Sequence, residues 1–124
     1  MSTSLFLAAV LMTEAPAMLT VPAPTVTSND IGYGELVAGR PEAAIARIER
    51  NGLARSGDPL ALINLGTAYK MIGRKDEAQR LYRAAATSDE RYDVELADGR
   101  WVDSRRAASM AIAMIGSADM LALK

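Results

Sequence analysis

Leu62, Leu65, Tyr69 and Ile72 recur three and four residues apart, which places them on one face of a helix. Asp58-Pro59 supplies its start, because Asp is a good N-cap and Pro suits the first helical position. Gly73 can take the left-handed backbone that ends it. Ala78, Leu81, Tyr82 and Ala85 then share one face of a second helix. Two amphipathic helices joined by a tight Gly turn predict a helical hairpin.

Moved upstream by 34 residues, the pattern recurs. Gly66 falls on Gly32, Gly73 on Gly39, Arg74 on Arg40 and Ala78 on Ala44, while Leu65 falls on Ile31 and Tyr82 on Ile48. An earlier hairpin is therefore expected, with helices at Asn29 to Ala38 and Pro41 to Arg50 and a turn at Gly39-Arg40. Ser28, Asn29 or Asp30 would cap the first helix and Pro41 would open the second. Glu35 stands where a counterpart of Tyr69 would be expected.

Downstream the helical pattern stops. Tyr92 to Leu96 alternates apolar and polar positions, as a half-buried strand does. Ala97-Asp98-Gly99-Arg100 reads as a turn and Trp101-Val102 as a short returning strand. Asp103 or Ser104 then caps a helix through about Ile115, with Ala108, Ala111, Ile112 and Ile115 on its apolar side and Gly116 ending it. Ser117 to Lys124 is apolar and reads as a frayed end or a last turn. Trp101 is expected as a core plug in this cap rather than a ligand-stacking side chain, and Met110 and Met114 as gap-filling core rather than a partner groove.

The spacing within the hairpins resembles the tetratricopeptide repeat. Leu62-Ile63-Asn64-Leu65-Gly66-Thr67-Ala68-Tyr69 is similar to W-x2-L-G-x2-Y, with Leu62 in place of Trp. Ala78-Gln79-Arg80-Leu81-Tyr82 is similar to A-x3-F, with Tyr82 in place of Phe. Glu90 replaces the closing Pro, and the resemblance covers about two repeats, roughly half the chain. The expected class is mainly α: helical-hairpin repeats forming a short α-solenoid, closed by a β-hairpin and a capping helix. About three repeats are usually needed to bury a continuous core, so residues 91–124 are expected to cap the two hairpins of 29–90, over Tyr69, Leu81 and their neighbours.

Residues 1–28 differ from the rest. Ser4 to Met12 is uncharged and too short to span a bilayer, which takes roughly 20 apolar residues. Residues 1–17 read as a secretory signal with Ala15-Pro16-Ala17 at its cleavage end, although no Lys or Arg precedes the apolar run. The competing reading is an N-terminal helix docked by its apolar face. Residues 18–28, with Pro22 and Pro24, read as an extended linker. A periplasmic or secreted protein with no stable membrane span in its mature form is expected, and a cytoplasmic one is the alternative.

Composition narrows the chemistry. The formal charge is −1, and the 14 basic residues, eleven of them Arg, are mixed with 15 acids, so no phosphate track is indicated and no nucleic-acid partner is expected. Cys and His are both absent, which removes thiol nucleophiles, imidazole bases and the usual zinc sites. The pairs Asp76-Glu77, Asp89-Glu90 and Asp93-Glu95 sit at helix ends or on a polar strand face, where nothing would separate their pKa values for acid–base work. No enzyme activity, cofactor or metal is expected.

The family resemblance implies a concave surface, built from the first helix of each hairpin, that holds a peptide or a helix of a partner. Its expected residues are Asn29, Tyr33, Leu36 and Val37 from the first hairpin and Ile63, Asn64, Thr67, Lys70 and Met71 from the second. Some relatives clamp a peptide carboxylate with Lys and Asn; Asn64 matches one such Asn, but Asn29 and Tyr33 replace the other Lys and Asn. The expected function is a non-enzymatic interaction module, an adaptor or scaffold of the cell envelope. A self-associating structural subunit and an accessory regulator of an enzyme are the alternatives.

Overall fold

A computed structural model describes residues 27, 30–118 and 120–124. The leader expected at 1–17, most of the 18–28 linker and Asn29 lie outside the described residues. The elements in order are α1 (Tyr33–Val37), α2 (Pro41–Asn51), α3 (Pro59–Met71), α4 (Lys75–Ala86), β1 (Asp93–Glu95), β2 (Trp101–Asp103) and α5 (Ser104–Ala113). Over the described residues the protein is mainly helical with one small antiparallel sheet, and the packing of its hairpins is that of a short helical repeat.

Both hairpins turn by the same device. Gly39 and Gly73 have φ of 70° and 84°, a region that L side chains avoid. Arg40 N–H donates to Glu35 C=O at 2.8 Å and Arg74 N–H to Tyr69 C=O at 2.9 Å, while Gly39 N–H donates to Leu36 C=O and Gly73 N–H to Lys70 C=O. This is the Schellman arrangement, which satisfies the last carbonyls of a helix and reverses the chain. The two turns match bond for bond at the 34-residue offset.

The close approach of the helices also repeats. A Cβ on Gly66 would stand 2.7 Å from the Tyr82 ring and 3.2 Å from Ala78 O. A Cβ on Gly32 would stand 3.2 Å from Ala44 Cβ and 3.3 Å from Ile48 Cδ1. Gly66 therefore lets α3 lie against α4 with the Tyr82 ring across the contact.

α1 departs from expectation. A helix over Asn29 to Ala38 is expected, but the described one is Tyr33–Val37, and its N-cap is Gly32 at φ 69° without a side-chain cap. The left-handed backbone at Gly32 breaks the helical path that residues 29–32 would need. Asp30 does not cap α1; its carboxylate accepts from Thr27 N–H and Oγ1 instead. Glu35, in the place of Tyr69, accepts from Arg47 Nε of α2 at 2.6 Å. Burial disfavours its charge, yet the Arg47 hydrogen bond and the guanidiniums of Arg47 and Arg40 hold its carboxyl below the ordinary value.

α3 forms as its sequence indicates. Asp58 accepts from Ala61 N–H at 2.9 Å, Pro59 opens the helix, and Asp58 Oδ2 also accepts from Tyr92 Oη at 2.6 Å. One carboxylate thus caps α3 and ties the β-hairpin to the helices. Burial, with that carboxylate alongside, raises the Tyr92 hydroxyl above its ordinary value and keeps it a donor. α3 packs on α2, α4 and α5, and Ala61 to Ala68 is buried throughout.

The β-hairpin pairs Asp93 with Asp103, Val94 with Val102 and Glu95 with Trp101. Asp103 caps α5 by accepting from Arg105 N–H and Arg106 N–H. α5 lies against α4 and α3, with Ala107, Ala108 and Ala111 buried, and Met110 and Met114 fill space at the edge of the core. Three features of this end of the protein differ from expectation. Trp101 is no core plug: it is 66% exposed, because Val94 and not Glu95 takes the inward position of the hairpin. α5 ends at Ala113 with Met114 as C-cap, and Gly116 takes no left-handed backbone. Tyr69 does not lie beneath the cap: its hydroxyl donates to Glu49 of α2 and Arg74 stands over its ring.

Gly66→Ala should lower stability by about 1–3 kcal/mol through overpacking against Tyr82. Gly34→Ala, in α1 with nothing within 4 Å of the new Cβ, should instead raise it by about 0.5–1 kcal/mol through reduced freedom of the unfolded chain. Urea denaturation of the two variants checks the contrast; equal shifts would mean that the α3–α4 crossing is not close.

Candidate functional site

The expected binding face is the side of α3 turned away from α4, with α1 beside it. Only two side chains on that side between Ala61 and Ala68 are polar, Asn64 and Thr67, and both are 0% exposed. A buried amide or hydroxyl is costly unless hydrogen-bonded. Besides Ile31 and Tyr82, the partners here come from residues 120–124, a segment that sequence periodicity alone does not place.

This segment is neither frayed nor helical. It runs extended across α3, with Leu121, Ala122 and Leu123 buried. Asn64 Nδ2 donates to Leu123 C=O at 3.0 Å, and Asn64 Oδ1 accepts from Leu123 N–H at 2.9 Å. The second Nδ2 hydrogen goes to Ile31 C=O at 2.9 Å. Thr67 Oγ1 lies 2.7 Å from Leu121 C=O and 2.9 Å from Tyr82 Oη. A carbonyl only accepts, so the one Thr67 proton goes to Leu121 and Tyr82 donates to Thr67. Burial pushes the Tyr82 hydroxyl up to about 12, so it remains a donor at any physiological pH.

The segment also borders the sheet. Leu96 and Leu123 form an antiparallel bridge, and Lys124 N–H donates to Glu95 C=O at 3.0 Å. Leu96 N–H donates to Arg100 C=O on the β2 side. By the alternation of an antiparallel ladder, Glu95 C=O then points to the other edge of β1. Residues 120–124 are therefore gripped between that edge and the polar pair of α3.

The expected site residues divide accordingly. Leu36 is buried in a small cluster with Ala44, Ala68 and Ala122, and Tyr33 packs at its edge. Ile63 is buried in the main core, which also contains Leu121 and Leu123. Leu36, Ile63, Asn64 and Thr67 are thus covered by the chain itself rather than open to solvent. Lys70 is partly buried and donates to Met114 C=O at 2.7 Å. Val37 and Met71 are exposed, at 52% and 37%, in corresponding positions of α1 and α3. Met71 lines a pocket of about 340 Å³ with Lys70, Lys75, Ser117, Ala118 and Met120, at the point where the 120–124 segment enters.

On the side of α2 and α4 a second groove of about 450 Å³ is lined by Ile48, Leu62, Leu65 and Leu81 together with Arg55 and Arg80. The three acid pairs lie at the surface, where Glu77 meets Arg80 and Glu95 meets Lys124. Among the described residues no three acidic side chains gather to hold a metal ion, and no helix is long and apolar enough to cross a membrane.

The signal that could have revealed the covered face is in α3 itself. Its sequence from Leu60 to Ala68 is apolar on all sides apart from Asn64 and Thr67. Such a helix is buried all round, not half exposed in a groove.

In comparisons with known proteins, no family model, curated protein or solved structure matches this chain.

The Tyr82 hydroxyl has a testable pH signature. Its folded value lies above the ordinary 10, so its stabilising share is complete below pH 10 and is lost as pH rises toward about 12. Tyr82→Phe should cost about 1 kcal/mol near neutrality. The gap between the two proteins, read by urea denaturation, should close between pH 10 and 12. A gap that stays constant would mean that burial does not hold the Tyr82 hydroxyl protonated above its ordinary range.

Proposed function

We propose that this protein is a non-enzymatic interaction module that holds an extended segment of a partner protein on the α1–α3 face. One observation carries the reading. The face already holds an extended segment of polypeptide, 120–124, through a paired hydrogen bond from Asn64 to both backbone groups of Leu123. Two buried polar side chains spent on backbone recognition suit a peptide, whose main chain is the same whatever its sequence. The exposed Val37 and Met71 and the pocket beside Met120 extend the contact surface toward solvent. The resemblance of the hairpins to tetratricopeptide repeats points the same way. So does the surface position of the three acid pairs Asp76-Glu77, Asp89-Glu90 and Asp93-Glu95, since acid–base chemistry needs burial or a confined site to separate their pKa values.

The apolar run at Ser4 to Met12 supports a place in the cell envelope. Intact mass of the protein from its native host should correspond to loss of about the first 17 residues. A soluble cytoplasmic form retaining Met1 would sink that location.

The binding face is tested by photo-crosslinking in the native host. A photoreactive side chain at Val37 or Met71 should form discrete protein adducts, whereas one at Arg55 or Arg80 should not. Adducts only from Arg55 or Arg80 would move the binding site to the α2–α4 groove. Adducts to a second copy of the chain would favour the self-associating subunit.

A further inference from the structure

Residues 120–124 are held along both backbone edges. Four hydrogen bonds do this: Asn64 to Leu123 C=O, Leu123 N–H to Asn64, Thr67 to Leu121 C=O, and Lys124 N–H to Glu95 C=O. All four use the backbone of the segment, so they accept any sequence. Selection lies in the side chains. Leu121 and Leu123 enter the main core. Ala122 turns the other way, 1% exposed among Leu36, Ala44 and Ala68, where a larger side chain would collide. Lys124 Nζ stands 3.5 Å from the Glu95 carboxylate.

The geometry points to a ligand class: the face between α3 and the edge of β1 away from β2 binds an extended partner segment of the pattern apolar–small–apolar–basic, and residues 120–124 are a built-in competitor for it. This inference rests on the reading of the face as peptide-binding. Strand addition to a sheet edge is a general mode of peptide recognition, with backbone bonds giving affinity and alternate side-chain pockets giving specificity. The chain carries its own template for such a ligand.

Displacement is built into the connection. Residues 116–118, between α5 and the segment, are exposed, and so is Met120 at its start. The segment can therefore lift away without unwinding α5. Tethering gives it a high effective concentration, so a competing segment needs added purchase. The pocket of Lys70, Met71 and Lys75 supplies that purchase where the segment enters.

The test uses a fluorescein-labelled peptide of the sequence from Ser117 to Lys124, read by fluorescence anisotropy against three full-length proteins. The first is the parent. The second carries Leu121→Ser and Leu123→Ser, which loosen the segment. The third carries Glu95→Cys and Lys124→Cys. These residues are directly opposed, and such hydrogen-bonded antiparallel pairs stand about 5.5 Å apart between Cα atoms, within disulfide reach. The chain has no other Cys to interfere.

Affinity should fall in the order loosened, parent, oxidised double-Cys, with at least tenfold between the first and last, and reductant should raise the affinity of the double-Cys protein. A peptide with Phe in place of its second Ala, the counterpart of Ala122, should bind the loosened protein at least tenfold more weakly. Equal binding to all three proteins overturns the competitor and leaves peptide binding to some other surface. No binding to a loosened protein that keeps its helical circular dichroism overturns the peptide-binding reading itself. If the loosened protein unfolds, amide exchange of the parent decides. Leu123 and Lys124 N–H should exchange at least a hundredfold faster than Leu65 and Ala68 N–H in α3, and exchange only with global unfolding overturns the inference.

Discussion

A helix that is apolar on every side must be covered on every side, and the rest of this structure follows from covering α3. α2 takes one side and α4 another, with Gly66 allowing the Tyr82 ring close to the helix backbone. α5 and the β-hairpin add a further layer, tied in by the Asp58–Tyr92 hydrogen bond at the start of α3. The last side is closed by residues 120–124. Two hairpins alone would leave that side wet, which is the shortfall of a repeat array too short to cap itself.

The polar pair on the closed side sets how firmly it closes. Asn64 uses both amide hydrogens and its oxygen, and Thr67 uses its proton and a lone pair, so neither is left unsatisfied. Burying Leu121 and Leu123 is worth about 3–6 kcal/mol, and the four hydrogen bonds add roughly 1 kcal/mol each. Ordering residues 120–124 costs about 5–10 kcal/mol. The balance lies within a few kcal/mol of zero, so the closure of this side is marginal by itself and depends on the core that it joins.

Much of the fold was legible from local chemistry. Asp58-Pro59, Gly39 and Gly73 mark helix ends through backbone requirements that hold in any context, and the structure has those ends. The β-hairpin and the Asp103 cap were legible for the same reason. What failed depended on tertiary partners. Trp101 looked like core because it is large and apolar, but strand alternation faces it outward. Asn64 and Thr67 looked like groove residues because polar side chains are usually wet; the segment that covers them lies more than fifty positions away, at Leu123 and Leu121. No periodicity in a short apolar segment announces that its backbone, rather than its side chains, is what another element will read.

The single amide of Asn64 joins Ile31 near the start of the described chain to Leu123 near its end. That bond has a consequence for the order in which the protein is made. Contacts of large sequence separation form late, after loop-closure entropy has been met. On the ribosome the hairpins can assemble once α4 has emerged, but α3 keeps one wet face until residues 120–124 follow. The nascent chain therefore passes through a stage at which its peptide-like surface is open to whatever lies nearby, and synthesis of its last described residues ends that stage.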